Sequence, residues 1–447
     1  MNKKIKVLVS LFFVVIFVFG FLLGAYGKKA TVSSNDKEIY EYLKTFSDVI
    51  DLVKKNYVEE VSDKEIVYSA IKGILESLDP HSSFLPPDMY KEMQTDTKGE
   101  FGGIGIEISI KDGFPVVITP IEDTPAFKEG IKAGDLIVRI EGKPTKNMNL
   151  VDVVKMIRGQ KGKAVNLTIV REGLSGMKEY SVMRDIIQVK SVKFKMLDED
   201  YGYIRIVQFQ EKTARDLDNA FKELEKANKG KELKGLILDL RNDPGGLLEQ
   251  AVEVSDKFLN DGVIVSIEGR GEKKKPEDNK IRFSAQKKNG DFLNPLVVLI
   301  NEGSASASEI VAGALQDYKR AIIVGTKSFG KGSVQTIIPL GDGSALRLTT
   351  AKYYTPKGRS IQGDGVTPDI VVENNMVRSK DKIVPLKEKD LIDAKNGKNG
   401  KDGKDAIEKP IKKLEDFNTK TLEDDDFQLY MGIQMLKSWE ALRGKGP

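Results

Sequence analysis

Between Ser191 and Glu373 short apolar runs alternate with stretches of helical period, and no other feature constrains the fold as tightly. Tyr203 to Phe209, Gly235 to Leu240, Val263 to Ile267, Leu296 to Ile300 and Ala321 to Val324 read as strands. Ala214 to Ala227, Leu247 to Leu259 and Ser306 to Leu315 read as helices. Runs of four to eight apolar residues suit strands, while apolar positions at three- and four-residue steps suit a helix with one buried face. The alternation predicts an α/β layer, with helices packed on a sheet.

The densest chemistry lies where the fourth of these strands ends. Asn301 to Asp317 (NEGSASASEIVAGALQD) leaves the strand through a Gly-Ser-Ala corner and enters a helix whose apolar face holds Ile310, Val311 and Leu315. Ser306 therefore stands at a helix N-terminus, where unpaired backbone N–H groups and the helix dipole favour negative charge. A hydroxyl held there can attack a carbonyl, and the Ala307 N–H can help to hold the resulting oxyanion. Ser306 and Glu309 also fit a capping box, which needs no chemistry at all.

A count narrows the options. The chain has one histidine, His81, and no cysteine. A Ser–His–Asp site would have to use His81, which sits far upstream in a turn-like segment, LDPHSSFLPP, where it is expected to make structural hydrogen bonds. A nucleophilic Ser306 is thus expected to use a lysine as its base. That lysine must be neutral to act, so burial or a nearby cation has to lower its pKa. Lys331 stands apart from the many solvated lysines: it lies between Gly330 and Gly332, ahead of an apolar strand, with Gln335 four residues on to orient the amine.

GSASASE followed by FGKGSVQ, with DLRNDPGG and a glycine-rich GGIGIEI segment, resembles the carboxyl-terminal processing (tail-specific) serine peptidases. The likeness runs from about Asp36 to Val372. It implies Ser306 as nucleophile, Lys331 as general base and Gln335 as the residue that orients the lysine. It further implies an oxyanion hole from the backbone N–H groups of Ala307 and Gly246, and a core like the crotonase and Clp-peptidase sheet-and-helix fold. Thr349 to Val372 is read as strand and loop behind the site.

Residues Gly99 to Arg184 read as strands at Ile104–Ile110, Pro115–Ile118, Leu136–Ile140 and Ala164–Arg171, with helices at Ala126–Gly130 and Leu150–Ile157. Their order resembles a PDZ domain, which captures the C-termini of polypeptides. Gly102, Gly103, Ile104, Gly105 and Ile106 are then the substrate-binding stretch, with N–H groups for a carboxylate and a strand edge for an extended peptide. Arg158 matches a family position that couples peptide binding to activation.

The remaining segments are of different kinds. Lys3, Lys4 and Lys6 precede an apolar run ending near Gly27 that is long enough to span a bilayer. It reads as an export signal, with a retained membrane anchor favoured over cleavage after the small residues around Ala25, and with the rest of the protein outside the cytoplasm. Tyr40, Leu43, Phe46, Val49, Ile50, Val53 and Tyr57 mark an amphipathic helix, Glu65 to Leu78 a second, and helical pattern continues to about Gln94. Glu268 to Asn289 reads as a polar surface excursion, the Asn396–Asp405 repeat as a flexible linker, and Phe427 to Leu442 as an amphipathic helix containing Trp439.

The expected organisation is therefore a leader at 1–27, a helical region at 28–98, an inserted PDZ domain at 99–185, a peptidase core at 186–375 and a linker with a C-terminal helix at 376–447. The expected activity is that of a serine endopeptidase of the periplasm or cell envelope, acting near apolar C-terminal tails. An activating peptide or adaptor, the membrane and a second copy of the protein stand as partners. No metal, nucleotide or other cofactor is implied, and the net charge of +4 with no basic–aromatic cluster gives no sign of nucleic-acid binding. Two alternatives remain: a tail-binding PDZ scaffold without catalysis, and a hydrolase of small acyl esters.

Overall fold

The computed structural model describes residues 34–121, 123–171, 176–197, 200–270, 279–286, 292–373, 387–395 and 426–443. The apolar leader at 1–27 and the repeat at 396–405 lie outside these residues. No described helix is long and apolar enough to cross a membrane.

A first unit ends at Ile74 and holds α1 (Ser34–Asn56) and most of α2 (Asp63–Glu76). A capping box starts α2: Glu65 N–H donates to Ser62 Oγ at 3.2 Å, and Ser62 N–H to the Glu65 carboxylate. Tyr40, Leu43, Phe46, Val49 and Val53 of α1 are exposed, so the amphipathic face read from the sequence exists but nothing in this unit covers it.

The second unit begins with β1 (Ser83–Leu85) and α3 (Pro87–Lys98). The helical pattern expected up to Gln94 is therefore interrupted. Pro86 and Pro87 restart the helix with a proline in its first turn, and Gly99 closes it in the left-handed region (φ 67°).

The inserted module follows: β2 (Glu100–Gly103), β3 (Ile106–Lys111), β4 (Phe114–Pro120), α4 (Pro125–Lys128), β5 (Leu136–Ile140), β6 (Lys143–Pro144), α5 (Leu150–Ile157), β7 (Ala164–Val170), β8 (Lys178–Met183) and β9 (Asp185–Gln188). Its sheet runs β3-β4-β5-β7-β8, so β3 is an edge strand. The strand expected at Ile104–Ile110 is broken at Ile104 and Gly105: β2 leaves to pair with β9, and β3 stays in the module. The sequence reading passed over β8, whose side chains alternate between core and solvent, with Tyr180 and Val182 buried.

Next come β10 (Val192–Met196), β11 (Tyr201–Ile206), α6 (Thr213–Ala227), β12 (Gly235–Asp239), α7 (Leu248–Asp256), β13 (Val263–Gly269), β14 (Lys280–Ser284), β15 (Leu296–Ile300), α8 (Ala307–Asp317), β16 (Ile322–Gly325), β17 (Ser333–Pro339), β18 (Ala345–Tyr354), β19 (Ile370–Val371), α9 (Glu388–Lys395) and α10 (Phe427–Arg443). One sheet runs β10-β11-β12-β15-β16-β19, parallel except for β10. A second runs β1-β18-β13-β14, with β17 also paired to β18. The stretch expected as a polar excursion after Glu268 thus returns as β14, paired to β13 through residues such as Ile281 and Phe283.

Period-two alternation explains why the first sheet is covered on both faces. Leu236, Leu238, Leu296, Val298 and Ile300 join one core with Leu217, Leu224, Val254, Val311 and Leu315 of α6, α7 and α8. Their neighbours Ile237, Val297 and Leu299 point the other way, onto Leu429, Ile433 and Leu436 of α10. The C-terminal helix therefore docks on its own protein. Trp439 is not part of that seam and is 39% exposed.

An ion network fixes α10 beside the end of β12. Arg241 pairs with Asp239 at 2.6 Å and with Asp426 at 2.7 Å, and also donates to Gln428 at 3.1 Å. Asp239 is fully buried and also accepts from Tyr203 Oη at 2.8 Å. Removing one partner of such a cluster strands a charge in the interior, which costs about 3–5 kcal/mol. Arg241→Ala is therefore expected to lower the denaturation midpoint strongly, with the change in ellipticity showing loss of α10 docking. An unshifted midpoint would mean that the cluster carries no net stability.

Candidate active site

Three segments meet at one end of the first sheet, because each leaves the C-terminal end of a parallel strand. Leu240–Gly246 follows β12, Asn301–Ser306 follows β15, and Thr326–Gly332 follows β16. In open α/β sheets that end is where loops and helix N-termini converge on a ligand.

Ser306 occupies the sharp turn from β15 into α8 with φ 56° and ψ −111°. A non-glycine residue with positive φ is strained, and such strain persists only where the surroundings impose it. The surroundings are tight. Ser304 Oγ donates to the Leu240 carbonyl at 2.7 Å, and Ala305 N–H to that of Asp243 at 3.0 Å. Ser306 itself is partly exposed, while Ala305 and Ala307 on either side are buried.

The capping box is present, but Glu309 does much more than cap. One carboxylate oxygen accepts the N–H groups of Ser306 at 2.8 Å and Lys331 at 2.9 Å. The other accepts Ser328 Oγ at 2.5 Å and Gly330 N–H at 2.7 Å. Glu309 is fully buried, and burial pushes its carboxyl up to about 7 while these donors pull the other way. One side chain therefore clips the Ser306 turn to the Lys331 loop. Tyr353 on β18 adds a second clip: its buried hydroxyl donates to the Ser306 carbonyl at 3.0 Å and also lies against that of Lys331.

Lys331 is held below the usual lysine range, first by burial and then by the Arg347 guanidinium on β18. The carboxylates of Glu388, Glu309 and Asp79 oppose this without overturning it. No hydrogen bond joins the Lys331 amine to Ser306 Oγ. Gln335 does not bond to the amine either; its amide donates to Ser333 Oγ at 2.9 Å and Thr349 Oγ1 at 3.3 Å.

Two backbone donors face this corner. Among the described residues, the N–H groups of Ala307 and Gly246 enter no hydrogen bond with the protein. Gly246 has φ 148°, and a Cβ there would stand 2.1 Å from the Phe209 carbonyl oxygen, so the position tolerates no side chain. Gly245 packs still closer to the serine: a Cβ on it would lie 2.8 Å from Ala307 N and 2.9 Å from Ser306 Cβ. Its own N–H is taken by Asp243 Oδ1.

His81 makes a structural hydrogen bond within its turn through its backbone N–H, which donates to Asp79 at 2.8 Å, while its ring reaches outside the turn. Its Nε2 meets both Glu388 carboxylate oxygens at 2.7 Å, from α9 far along the sequence. Glu388 also accepts from Gln362, which in turn accepts the Gly332 N–H at 2.8 Å. The bonds local to the turn come from Asp79, which accepts from the N–H groups of His81 and Ser82 and from Thr349.

The module's groove lies between the β3 edge and α5, a cavity of about 90 Å³ lined by Ile104, Gly105, Ile106, Ile108, Val154, Ile157 and Arg158. Ile104 is fully buried, and its carbonyl accepts the Ala126 N–H; Gly102 and Gly103 belong to the β2–β9 ribbon. The Arg158 guanidinium sits 4.4 Å from the Phe101 ring centre and 3.8 Å from Glu92 on α3. Turns and spacing mark Ser306, Lys331 and the glycines as candidates in the sequence. Sequence reasoning recognised Glu309 only as a cap, and missed Tyr353, Asp243 and Glu388, which act across long separations.

Comparison with known proteins gives the family of the chain. Residues 200–372 match the model of peptidase family S41, residues 93–170 that of the PDZ domain, and residues 25–88 that of the activating protease CtpB N-terminal domain. A carboxy-terminal-processing protease of Bartonella bacilliformis is 48% identical over 80% of this chain and 82% of its own length. The carboxy-terminal processing protease CtpA of Bacillus subtilis is 36% identical, over 72% of this chain and 67% of its own. Among solved structures, the photosystem II D1 C-terminal processing protease is 33% identical, over 73% of this chain and 86% of its own length, with a TM-score of 0.43.

Proposed function

Because the chain belongs to the PDZ-containing carboxy-terminal processing serine peptidases of family S41, we propose that it is an exported endopeptidase in which Ser306 and Lys331 form the catalytic dyad. The observation that carries this reading is the Glu309 clip, which holds the Ser306 and Lys331 backbones on one carboxylate oxygen beside two unused N–H donors.

The mechanism follows from the groups present. Neutral Lys331 takes the proton from Ser306 Oγ as the oxygen attacks the scissile carbonyl carbon. The carbonyl oxygen gains the electron pair and receives hydrogen bonds from the Gly246 and Ala307 N–H groups. Collapse breaks the C–N bond, and the Lys331 ammonium returns its proton to the leaving amine. Water, deprotonated by the same lysine, then hydrolyses the acyl-enzyme. The missing Ser306–Lys331 hydrogen bond fits a resting arrangement that tightens when substrate binds. Gln335 orients the amine in that state, after exchanging one of its present partners.

The substrate is a polypeptide whose apolar C-terminal tail adds a strand to the β3 edge, with its carboxylate near Gly103–Ile106 and Arg158. A peptide or adaptor seated there draws Arg158 away from Phe101 and Glu92, and so activates the enzyme. Export, anchoring by the apolar leader at 1–27 and pairing of two copies complete the proposal; the lysines before an uncharged run support the first two, and the uncovered face of α1 supports the third.

The test is cleavage of an unfolded protein carrying an apolar tail, followed by mass spectrometry of the fragments. The same protein with a C-terminal amide or a charged tail serves as comparison. Cleavage of the apolar-tailed form at least tenfold faster is expected, rising with pH as Lys331 loses its proton. Tail binding with no cleavage at any pH would instead favour the non-catalytic scaffold.

A further inference from the structure

Asp243 lies fully buried in the turn that follows β12, and the mechanism above makes no use of it. Its Oδ1 accepts the Gly245 N–H at 2.9 Å. Its backbone carbonyl accepts the Ala305 N–H at 3.0 Å and Ser308 Oγ at 3.0 Å. Asp243 thus grips the glycine pair on one side and both flanks of Ser306 on the other. A Cβ on Gly245 would lie 2.9 Å from Ser306 Cβ, so its backbone abuts that corner, and its carbonyl accepts the Phe209 N–H at 2.9 Å. Any shift of the Asp243 side chain therefore moves Gly246 relative to Ala307.

The second carboxyl oxygen, Oδ2, has no hydrogen-bond partner among the described residues. The charged groups facing it are Arg205 on β11, whose field favours the carboxylate, and Asp239 at the end of β12, whose field opposes it. Burial outweighs the Gly245 N–H, the Ser308 hydroxyl and Arg205, all of which favour the carboxylate, and pushes the carboxyl up to about 8. An ionised Asp243 would bury a charge whose Oδ2 accepts no hydrogen bond among the described residues, whereas the acid buries only a neutral hydroxyl.

Resting on the reading of Ser306 as nucleophile, we propose that Asp243 is a positioning residue that works as a neutral carboxylic acid. It sets the Gly246 and Ala307 N–H groups at the spacing an oxyanion requires, and its ionisation limits the enzyme on the alkaline side. In the unfolded protein this group ionises in the ordinary carboxylate range. The folded state therefore holds an extra proton between about pH 4 and pH 8 and loses stability as pH rises through that window.

The experiment compares the full-length protein with Asp243→Asn, Asp243→Ala and Ser306→Ala, by peptide cleavage from pH 6 to 10 and by thermal melts from pH 4 to 9. Asp243→Ala removes the acceptor for Gly245 and is expected to lower kcat about tenfold or more, with a smaller change in KM. Asp243→Asn keeps an acceptor without a titrating group. It is expected to recover most of that loss and to hold its activity above pH 8, where the natural enzyme declines. Its melting temperature relative to the natural protein should climb between pH 4 and pH 8 and then level off. An Asn variant that declines at the same pH as the natural enzyme, or a melting difference independent of pH, overturns the proposal. The melts do not depend on turnover, so they separate failure of Asp243's role from failure of the nucleophile assignment, which cleavage by Ser306→Ala would reveal.

Discussion

Ser306→Ala and Lys331→Ala are each expected to reduce kcat by a factor on the order of 10⁴ to 10⁶, with little change in tail affinity. In the proposed dyad, nucleophile and base act as a unit, so the loss of either removes nearly the whole covalent pathway, and the double variant should be no worse than the single ones. The local structure favours a clean experiment. Ser306 is partly exposed, and the bonds that impose its φ of 56° run mainly through backbone atoms, Ser304 and Glu309, which alanine leaves in place. Lys331→Ala likewise keeps the N–H that Glu309 holds. Melting temperatures near the natural value, with single-turnover kinetics showing no acyl-enzyme, would identify the defect as chemical. Residual cleavage above a hundredth of the natural rate in either variant would exclude the dyad.

Glu309→Ala is expected to have the next largest effect, at least a hundredfold in kcat together with a lower melting temperature. Four donors lose their acceptor at once, and each buried donor left unpaired costs about 1–3 kcal/mol. Glu309→Gln should recover little, since an amide offers one acceptor oxygen and turns an –NH₂ toward groups that are themselves donors. The discriminating readout is the pH profile. If Glu309 fixes where Lys331 stands, the acidic limb should move as well as the maximum rate fall. A variant that loses stability but keeps the natural rate and profile at low temperature would reduce Glu309 to a helix cap.

How much of this was legible in the sequence depended on the range of the interactions. The strands at Leu136–Ile140 and Leu296–Ile300 and the helix at Leu150–Ile157 came through with the same bounds, because period and turn residues are local signals. The helical reading through to Gln94 failed at Ser83–Leu85, where a short apolar run is claimed by β18 from a distant part of the sequence. Glu268 to Asn289 looked like solvent-exposed loop because Lys280–Ser284 is polar on one face; pairing with β13 makes it a strand. At the candidate site, residue type and neighbouring glycines single out Ser306 and Lys331. The His81–Glu388 pair joins two residues whose surroundings give no hint of each other, and no periodicity reports such a contact.

The ribbon of β2 and β9 brings the two ends of the inserted module side by side, with Glu100 opposite Gln188 and Gly103 opposite Asp185. Entry and exit at one doorway make the module a cassette: a tight turn joining the strands would bridge the gap without redirecting either neighbour. The module can therefore be exchanged as one piece while the strands on either side of it keep their registration. A graft that replaces residues 104–184 with a two-residue hairpin makes this divisibility a question for the bench.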